Sequence, residues 1–272
     1  MGSETYTHGH HPSVLRSHEW RTAANSAAYL LPELVGGQRL LDIGCGPGTL
    51  TLDLAERVAP EEVLAIDRVE SVLEVARGNA EGRGVSNVRF SVGDAYDLRA
   101  SGLDLGDGTF DVVHMHQVLQ HLGDPVAAMR EARRVLSPGG IFAVRESLYT
   151  AKTWTPDDPV LDRWLEIYLE VSRENKGEPD AGRYLLSWAL RARFTDVRVS
   201  TSTWTFADAE SRAWWGGLWA ERVTESDLAR QAVEYGITDT SELRRIADAW
   251  RRWADAPDGF FMVPLGEILA RR

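Results

Sequence analysis

Cysteine is nearly absent: Cys45 is the only one in 272 residues, so no intramolecular disulfide and no cysteine-rich zinc site can form. Cys45 also lies between glycines, where a small packing residue is the simpler reading than a nucleophile. Long apolar runs are missing too. Stretches such as Ile141 to Val144 fall far short of the roughly 20 residues that a membrane-spanning helix needs, and no span is expected. The opening Met-Gly-Ser-Glu-Thr-Tyr-Thr-His lacks the basic start and apolar stretch of a secretory signal, so a cytoplasmic location is expected. Excess positive charge is lacking as well, with 30 basic against 41 acidic residues and a net charge of -11. Nucleic-acid binding draws affinity from Lys and Arg neutralising phosphates. No basic segment interleaved with aromatics is visible, so nucleic acid is not an expected partner.

What is present is ordinary globular material, 43% hydrophobic and 26% charged, enough for one substantial core. From Arg39 to Arg145, short apolar runs alternate with amphipathic segments, the signature of a parallel α/β sheet. The runs are Arg39 to Ile43, Glu62 to Ile66, Asn87 to Val92, Phe110 to Met115 and Gly140 to Arg145. Each is close to continuously apolar, as strands covered on both faces should be. Leu50, Leu54 and Val58, and then Val72 and Ala76, set buried stripes on the intervening helices. Asp124-Pro125 starts a helix that Ser137-Pro138-Gly139-Gly140 ends. Beyond Glu146 the chain turns to tryptophan-rich helical segments over Val160 to Arg173, Ala181 to Ala192, Asp208 to Tyr235 and Ser241 to Ala254. Asp196 to Trp204 and Gly259 to Leu265 are expected as the last two strands, with insertions at Tyr149 to Arg183 and Asp208 to Ala254. No repeat, low-complexity tract or long linker divides the chain, so residues 1–272 are expected as one domain: 1–38, a core over 39–146, and a helical part over 147–272.

The strongest signal is Leu40-Leu41-Asp42-Ile43-Gly44-Cys45-Gly46-Pro47-Gly48-Thr49, a strand running into glycines that open a helix. Glycine permits a ligand to approach the backbone closely. The spacing departs from the dinucleotide fingerprint, and Asp42 stands just before the turn. That carboxylate would repel a pyrophosphate and attract an ammonium group, so the loop suits an amino-acid-bearing cofactor. Asp67 ends the next run, where a carboxylate accepts from ribose hydroxyls. Asp94, after the third, can accept from an adenine amino group.

These residues resemble those of class I S-adenosylmethionine-dependent methyltransferases. The likeness is greatest to the ubiquinone/menaquinone-biosynthesis-like group (methyltransferase type 11/25), through Phe110-Asp111-Val112-Val113, Val118-Leu119-Gln120-His121-Leu122 and Arg134-Val135-Leu136-Ser137-Pro138-Gly139-Gly140. The resemblance implies a Rossmann-like, doubly wound, seven-stranded sheet, mostly parallel with an antiparallel last strand. Helical insertions and an N-terminal helical lid complete it. It implies that Asp42, Gly44, Cys45, Gly46 and Gly48 hold the methionine part of S-adenosyl-L-methionine, and that Asp67 with Arg68 binds the ribose. Gly93, Asp94 and Ala95 would face the adenine, and His116-Gln117 would line the cofactor. In related enzymes the N-terminal segment folds over the cofactor, which makes Tyr6, Trp20 and Arg21 lid contacts; anchoring of a helix by Trp20 is the competing reading. His8, His10, His11 and His18 are not one run of histidines, and no carboxylate or cysteine at ligand spacing accompanies them, so no metal is expected.

Methyl transfer from a sulfonium needs alignment first, and a base only where the acceptor must lose a proton early. His121 is the leading candidate base, since a histidine has the right unperturbed pKa; a structural role capping the following helix is the alternative. His116 is weaker, as are Glu146 and Tyr149. The tryptophans of the second half fall where this family varies its acceptor pocket. Glu146, Tyr149, Trp154 and Trp215 are therefore candidate acceptor contacts, core packing being the alternative for each tryptophan. An apolar or aromatic small molecule, methylated on O, N, C or S, is the expected partner of a monomer or homodimer. The Asn/Asp-Pro-Pro-aromatic sequence of base methylation is missing, since the chain reads His114-Met115-His116-Gln117. The cysteines of arsenic methylation and the acidic magnesium set of catechol enzymes are missing too. Ser13 to Thr22 and Trp214-Trp215-Gly216 resemble a bacterial and fungal subgroup that includes enzymes methylating thiols of disulfide-containing secondary metabolites, which tilts the expectation slightly toward a thiol. O- or N-methylation of an aromatic metabolite or quinone precursor is the alternative. Rival classes are a same-fold protein that moves no methyl group, an inactive partner subunit and a nicotinamide oxidoreductase.

Overall fold

The computed structural model describes residues 6, 7, 9, 11–99 and 105–272. His8 and His10, considered above as metal ligands, lie outside the described residues. Two short helices, α1 (Pro12–Glu19) and α2 (Ala23–Ser26), precede the sheet. Strands β1 (Leu40–Ile43), β2 (Val63–Asp67), β3 (Val88–Val92), β4 (Phe110–His116) and β5 (Leu136–Ser147) lie in the order β3-β2-β1-β4-β5, all parallel. Helices α3 (Thr49–Val58), α4 (Glu70–Arg83) and α5 (Pro125–Val135) make the crossovers. The α5 start is as expected, with the Asp124 carboxylate accepting from Ala127 N at 3.0 Å and Pro125 in the first turn.

The register explains the continuously apolar strands. Leu41, Leu64, Val113 and Phe142 share one row and pack against α5 and the short helix after the first insertion. Leu40, Val63, Val112 and Ile141 face the opposite side, where α3 and the segment around α2 cover them. With both faces covered, neither row has reason to be polar.

The edge departs from expectation by one strand, since the sheet has eight rather than seven. Here β6 (Thr153–Thr155) and β7 (Thr195–Phe206) both pair antiparallel with β8 (Phe260–Arg271), which also pairs antiparallel with β5. Strand β8 continues past Leu265 because Ile268, Leu269 and Ala270 still have a core to enter. Strand β6 is three residues long and too short to show a period.

The second half carries α6 (Pro159–Glu174), α7 (Leu185–Arg191), α8 (Ala209–Glu225), α9 (Asp227–Glu234) and α10 (Thr240–Asp255). The single helix expected over Asp208 to Tyr235 is two, because Ser226 is extended and turns its hydroxyl back to Arg222 O at 2.7 Å. Leu161, Trp164, Tyr168 and Val171 make the apolar stripe of α6; Leu243, Ile246, Trp250 and Trp253 make that of α10. They meet in an aromatic core. Trp164 packs edge-on to Trp219 and Trp250, with ring centres 4.6 and 4.8 Å apart, the geometry that ring quadrupoles favour. Most of the tryptophans are therefore structural.

Candidate active site

A cavity of about 440 Å³ opens at the carboxyl ends of β1, β2, β3 and β4, where open α/β sheets hold ligands. Asp42, Gly44, Cys45 and Gly46 line it from the first turn, and Asp67 with Arg68 from the second. Gly93, Asp94 and Ala95 follow from the third, then His116, Gln117 and His121 from the fourth. Tyr6, Trp20 and Arg21 cover it, while Tyr149 and Trp215 close the far end.

Three expected residues are not among those lining the cavity. Gly48 is the left-handed residue before α3, at φ +80°, and a Cβ there would stand 3.0 Å from Ala76 and 3.2 Å from Phe90. It serves helix packing. Glu146 is fully buried, and its carboxylate accepts from the backbone N–H groups of Val118 and Leu119 at 2.8 and 2.7 Å. Burial pushes its pKa up, to about 8, against the pull of those amides. It holds the turn after β4 in place. Trp154 stacks on Phe261 and packs edge-on to Trp164, so it belongs to the aromatic core.

The first turn is fixed by close packing. A Cβ on Gly44, at φ +75°, would lie 2.4 Å from the Val118 side chain, which no other residue tolerates. Asp42 is 3% exposed and already bonded: Thr51 Oγ1 donates at 2.5 Å, and His114 Nδ1 lies 2.8 Å from the other oxygen. Asp67 accepts from Gly46 N at 3.1 Å and Val69 N at 3.2 Å, tying the glycine loop to the end of β2. Asp94 accepts from Tyr96 N at 2.9 Å. Burial, then the nearby Asp42 and Asp67, pushes the Cys45 thiol well up, which fits a packing role.

The histidines differ from expectation in their acid–base state. Burial first, and then the Arg21 charge, lowers His121 from 6.5 to about 3. Its poise as a base near neutrality is lost. Gln120 Nε2 stands 3.1 Å from its Nε2. An amide nitrogen only donates, so that ring nitrogen accepts. The Tyr6 ring packs edge-on to His121 at 4.7 Å. His116 is also lowered well below its ordinary value, mainly by burial and then by Arg21. Gln117 sits at φ +55° between them, and its Oε1 accepts from Arg21 Nη2 at 2.7 Å.

The cover is fastened at several points. Trp20 does two jobs, lining the cavity and packing on Trp204, Phe206 and Trp214. His18 O accepts from Thr49 Oγ1 at 3.2 Å, and Arg222 Nη2 donates to Ser13 O and Ser17 Oγ at 3.1 and 2.9 Å. Lys152 and Arg222 line the cavity without having been expected, and Trp204 lines it from among the second-half tryptophans. Lys152 and Arg222 are isolated in sequence and lie in no motif. Among the described residues, no group of three His, Cys, Asp or Glu side chains is placed to hold a metal. No described helix is long and apolar enough to cross a membrane.

A parallel doubly wound sheet, an antiparallel edge built by β7 and β8, and acids at three successive strand ends together define a Rossmann-like methyltransferase fold. Residues 34–177 match the methyltransferase domain family. The chain belongs to that family, the S-adenosylmethionine-dependent methyltransferases. It is 32% identical over 275 residues to an uncharacterized methyltransferase of Schizosaccharomyces pombe, covering 98% of this chain and 96% of that protein. A probable methyltransferase of Aspergillus luteorubrus, ltbC, is 28% identical over 286 residues, covering 98% and 97%. Among solved structures, the YcgJ protein of Bacillus subtilis superposes with a TM-score of 0.59 at 21% identity, covering 90% of this chain and 97% of that one.

Proposed function

We propose that this protein binds S-adenosyl-L-methionine along the strand ends and transfers its methyl group to a small secondary metabolite held against the aromatic end of the cavity. The observation that carries this reading is the meeting of Asp42, Asp67 and Asp94 around one glycine loop, in a cavity that continues to Tyr149 and Trp215. The space suits a small molecule. Asp42 would attract the ammonium of the methionine part, with Gly44 and Gly46 giving close backbone approach. Asp67 would accept from the ribose hydroxyls, with Arg68 beside it. Gly93, Asp94 and Ala95 would form the adenine wall, and His116 and Gln117 the cofactor's inner side. Once bound, the cofactor supplies a sulfonium methyl that already carries its leaving group.

The protein's part is therefore alignment and exclusion of water. Tyr6, Trp20 and Arg21 cover the cavity. Tyr6 and Tyr149 stay protonated, burial pushing each to about 12. With its basicity lowered, His121 acts as a polar wall positioned by Gln120 and Tyr6 rather than as a strong base. An acceptor that arrives already ionised fits such a site. A thiol, which ionises near neutrality, meets that condition.

Calorimetric titration of S-adenosylmethionine and S-adenosylhomocysteine tests the cofactor reading. Both are expected to bind, with Asp67→Ala weakening each at least about tenfold. Labelled methyl from the cofactor is then followed into thiol, phenol, amine and carboxylate metabolites by mass spectrometry. Absence of binding by either nucleoside removes the reading.

A further inference from the structure

The cavity is electrically divided. Three carboxylates, Asp42, Asp67 and Asp94, line the end formed by β1 to β3, with Arg68 beside Asp67, while Arg21, Lys152 and Arg222 line the rest. Among the described residues, none of these three cations pairs with a carboxylate. Arg21 donates to the Gln117 amide, and its Nε is buried without a partner. Arg222, 4% exposed, donates to Ser13 and Ser17, and its Nε is likewise buried and unmatched.

Lys152 is the more telling of them. It is one of two lysines in the chain and is 8% exposed. The turn Tyr149–Ala151 carries it inward, with its backbone N–H bonded to Tyr149 O at 3.2 Å. Its Nζ stands 2.9 Å from the centre of the Tyr149 ring and within 5.9 Å of Trp164, Tyr168 and Trp219. The Arg222 guanidinium lies 4.6 Å from the centre of the same Trp219 ring. Aromatic faces stabilise an ammonium only in part. The carboxylate whose charge reaches Lys152 is buried Asp180, but it makes no ion pair with the lysine and its two oxygens accept from Thr150 N and Thr150 Oγ1 at 2.8 and 2.7 Å. A buried cation so weakly compensated is unfavourable and favours an anion beside it. Burial, and then the Arg222 charge, lowers the proton affinity of Lys152 against the weaker opposing pull of Asp180, and a bound anion would add to that pull. The same rings would cage a cationic ligand, but this chain's own ammonium already occupies them.

We propose that the acceptor is a small aromatic or apolar anion whose negative group is held by Lys152, in the positive field to which Arg222 contributes. This rests on the cofactor reading above, because it assigns the acidic end of the cavity to the cofactor and the basic end to the acceptor. An anionic acceptor also accounts for a site without a well-poised base, since it brings its own nucleophilic lone pair.

Benzoate, phenylacetate and 2-naphthoate, each beside its carboxamide, are titrated calorimetrically into the full chain with and without S-adenosylhomocysteine. At least one acid is expected to bind ten times more tightly than its amide, and benzyltrimethylammonium is expected not to bind. Lys152→Met is expected to weaken that acid at least tenfold while leaving S-adenosylhomocysteine affinity unchanged. No acid binding, equal affinity for acid and amide, binding of the quaternary ammonium, or an unaffected Lys152→Met variant would each overturn the proposal. The acid-against-amide comparison needs no variant. Failure of S-adenosylhomocysteine to bind tells against the cofactor reading, whereas failure of the acids with that nucleoside bound tells against this one alone.

Discussion

His114 Nδ1 and the Asp42 carboxylate lie 2.8 Å apart, with the histidine fully buried and the acid 3% exposed. A carboxylate can only accept, so His114 donates. Their strands are paired in register, Asp42 opposite His114, so the contact follows from β1 and β4 lying side by side. Thr51 holds the second oxygen from α3. The acid at the first turn is thereby oriented before any ligand arrives, which is how a site avoids reorganising on binding.

Asp42→Asn keeps the size of that side chain and removes its charge. S-adenosylhomocysteine affinity is expected to fall about tenfold to a hundredfold, the worth of one charge-assisted contact. Isothermal titration calorimetry reads the change, and an affinity equal to wild type would show that the ammonium is held elsewhere.

The lowered histidines set an acid limit on stability. His121 titrates near 3 in the folded chain against 6.5 when exposed, so between those values the unfolded state binds more protons. Stability is therefore full above 6.5 and declines as pH falls toward 3. This one side chain contributes a slope of up to about 1.4 kcal/mol per pH unit. His116 shifts in the same direction, chiefly for the same reason. Urea unfolding of His121→Phe across this range should give a shallower pH dependence by up to that slope; an identical slope would mean the imidazole is not desolvated.

Trp250 is fully buried and meets Trp164, Trp219, Trp253 and Phe261 at once. Trp250→Ala leaves a hole that these large rings cannot close, and a stability loss of about 3–5 kcal/mol is expected. Trp250→Phe should lose markedly less. Denaturant midpoints for the two variants check the order.

Much of the first half was readable because one cause produced each signal. Strands covered on both faces are continuously apolar, so β1, β2, β4 and the buried part of β5 stood out, and acids just beyond the strands lie at the carboxyl edge of the sheet; β3 differs, being the edge strand with Arg89 and Val92 exposed. Elsewhere one signal served two causes. The glycine spacing read as admitting a ligand also serves packing, at Gly44 to clear the Val118 side chain and at Gly48 to seat α3 against Ala76 and Phe90. Glu146 looked like a strand-end acid, but β5 runs on to Ser147 and the carboxylate turns inward to the Val118 and Leu119 amides. Lys152 and Arg222 lie 70 positions apart in sequence, in segments with no motif. Only the folding of α8 over the turn before β6 brings them to one cavity.

The segment from Ser13 to Ala23 is moored on two shores. Thr49 and Asp53 of α3 hold it through His18 O and Ala23 N, at 3.2 and 2.7 Å, while Arg222 and Glu221 of α8 hold it through Ser13, Ser17 and Arg16. One strip of chain thus bridges the glycine-loop wall and the tryptophan wall. Lifting it would open both walls together, so a ligand at either end of the cavity is expected to leave only as these contacts loosen.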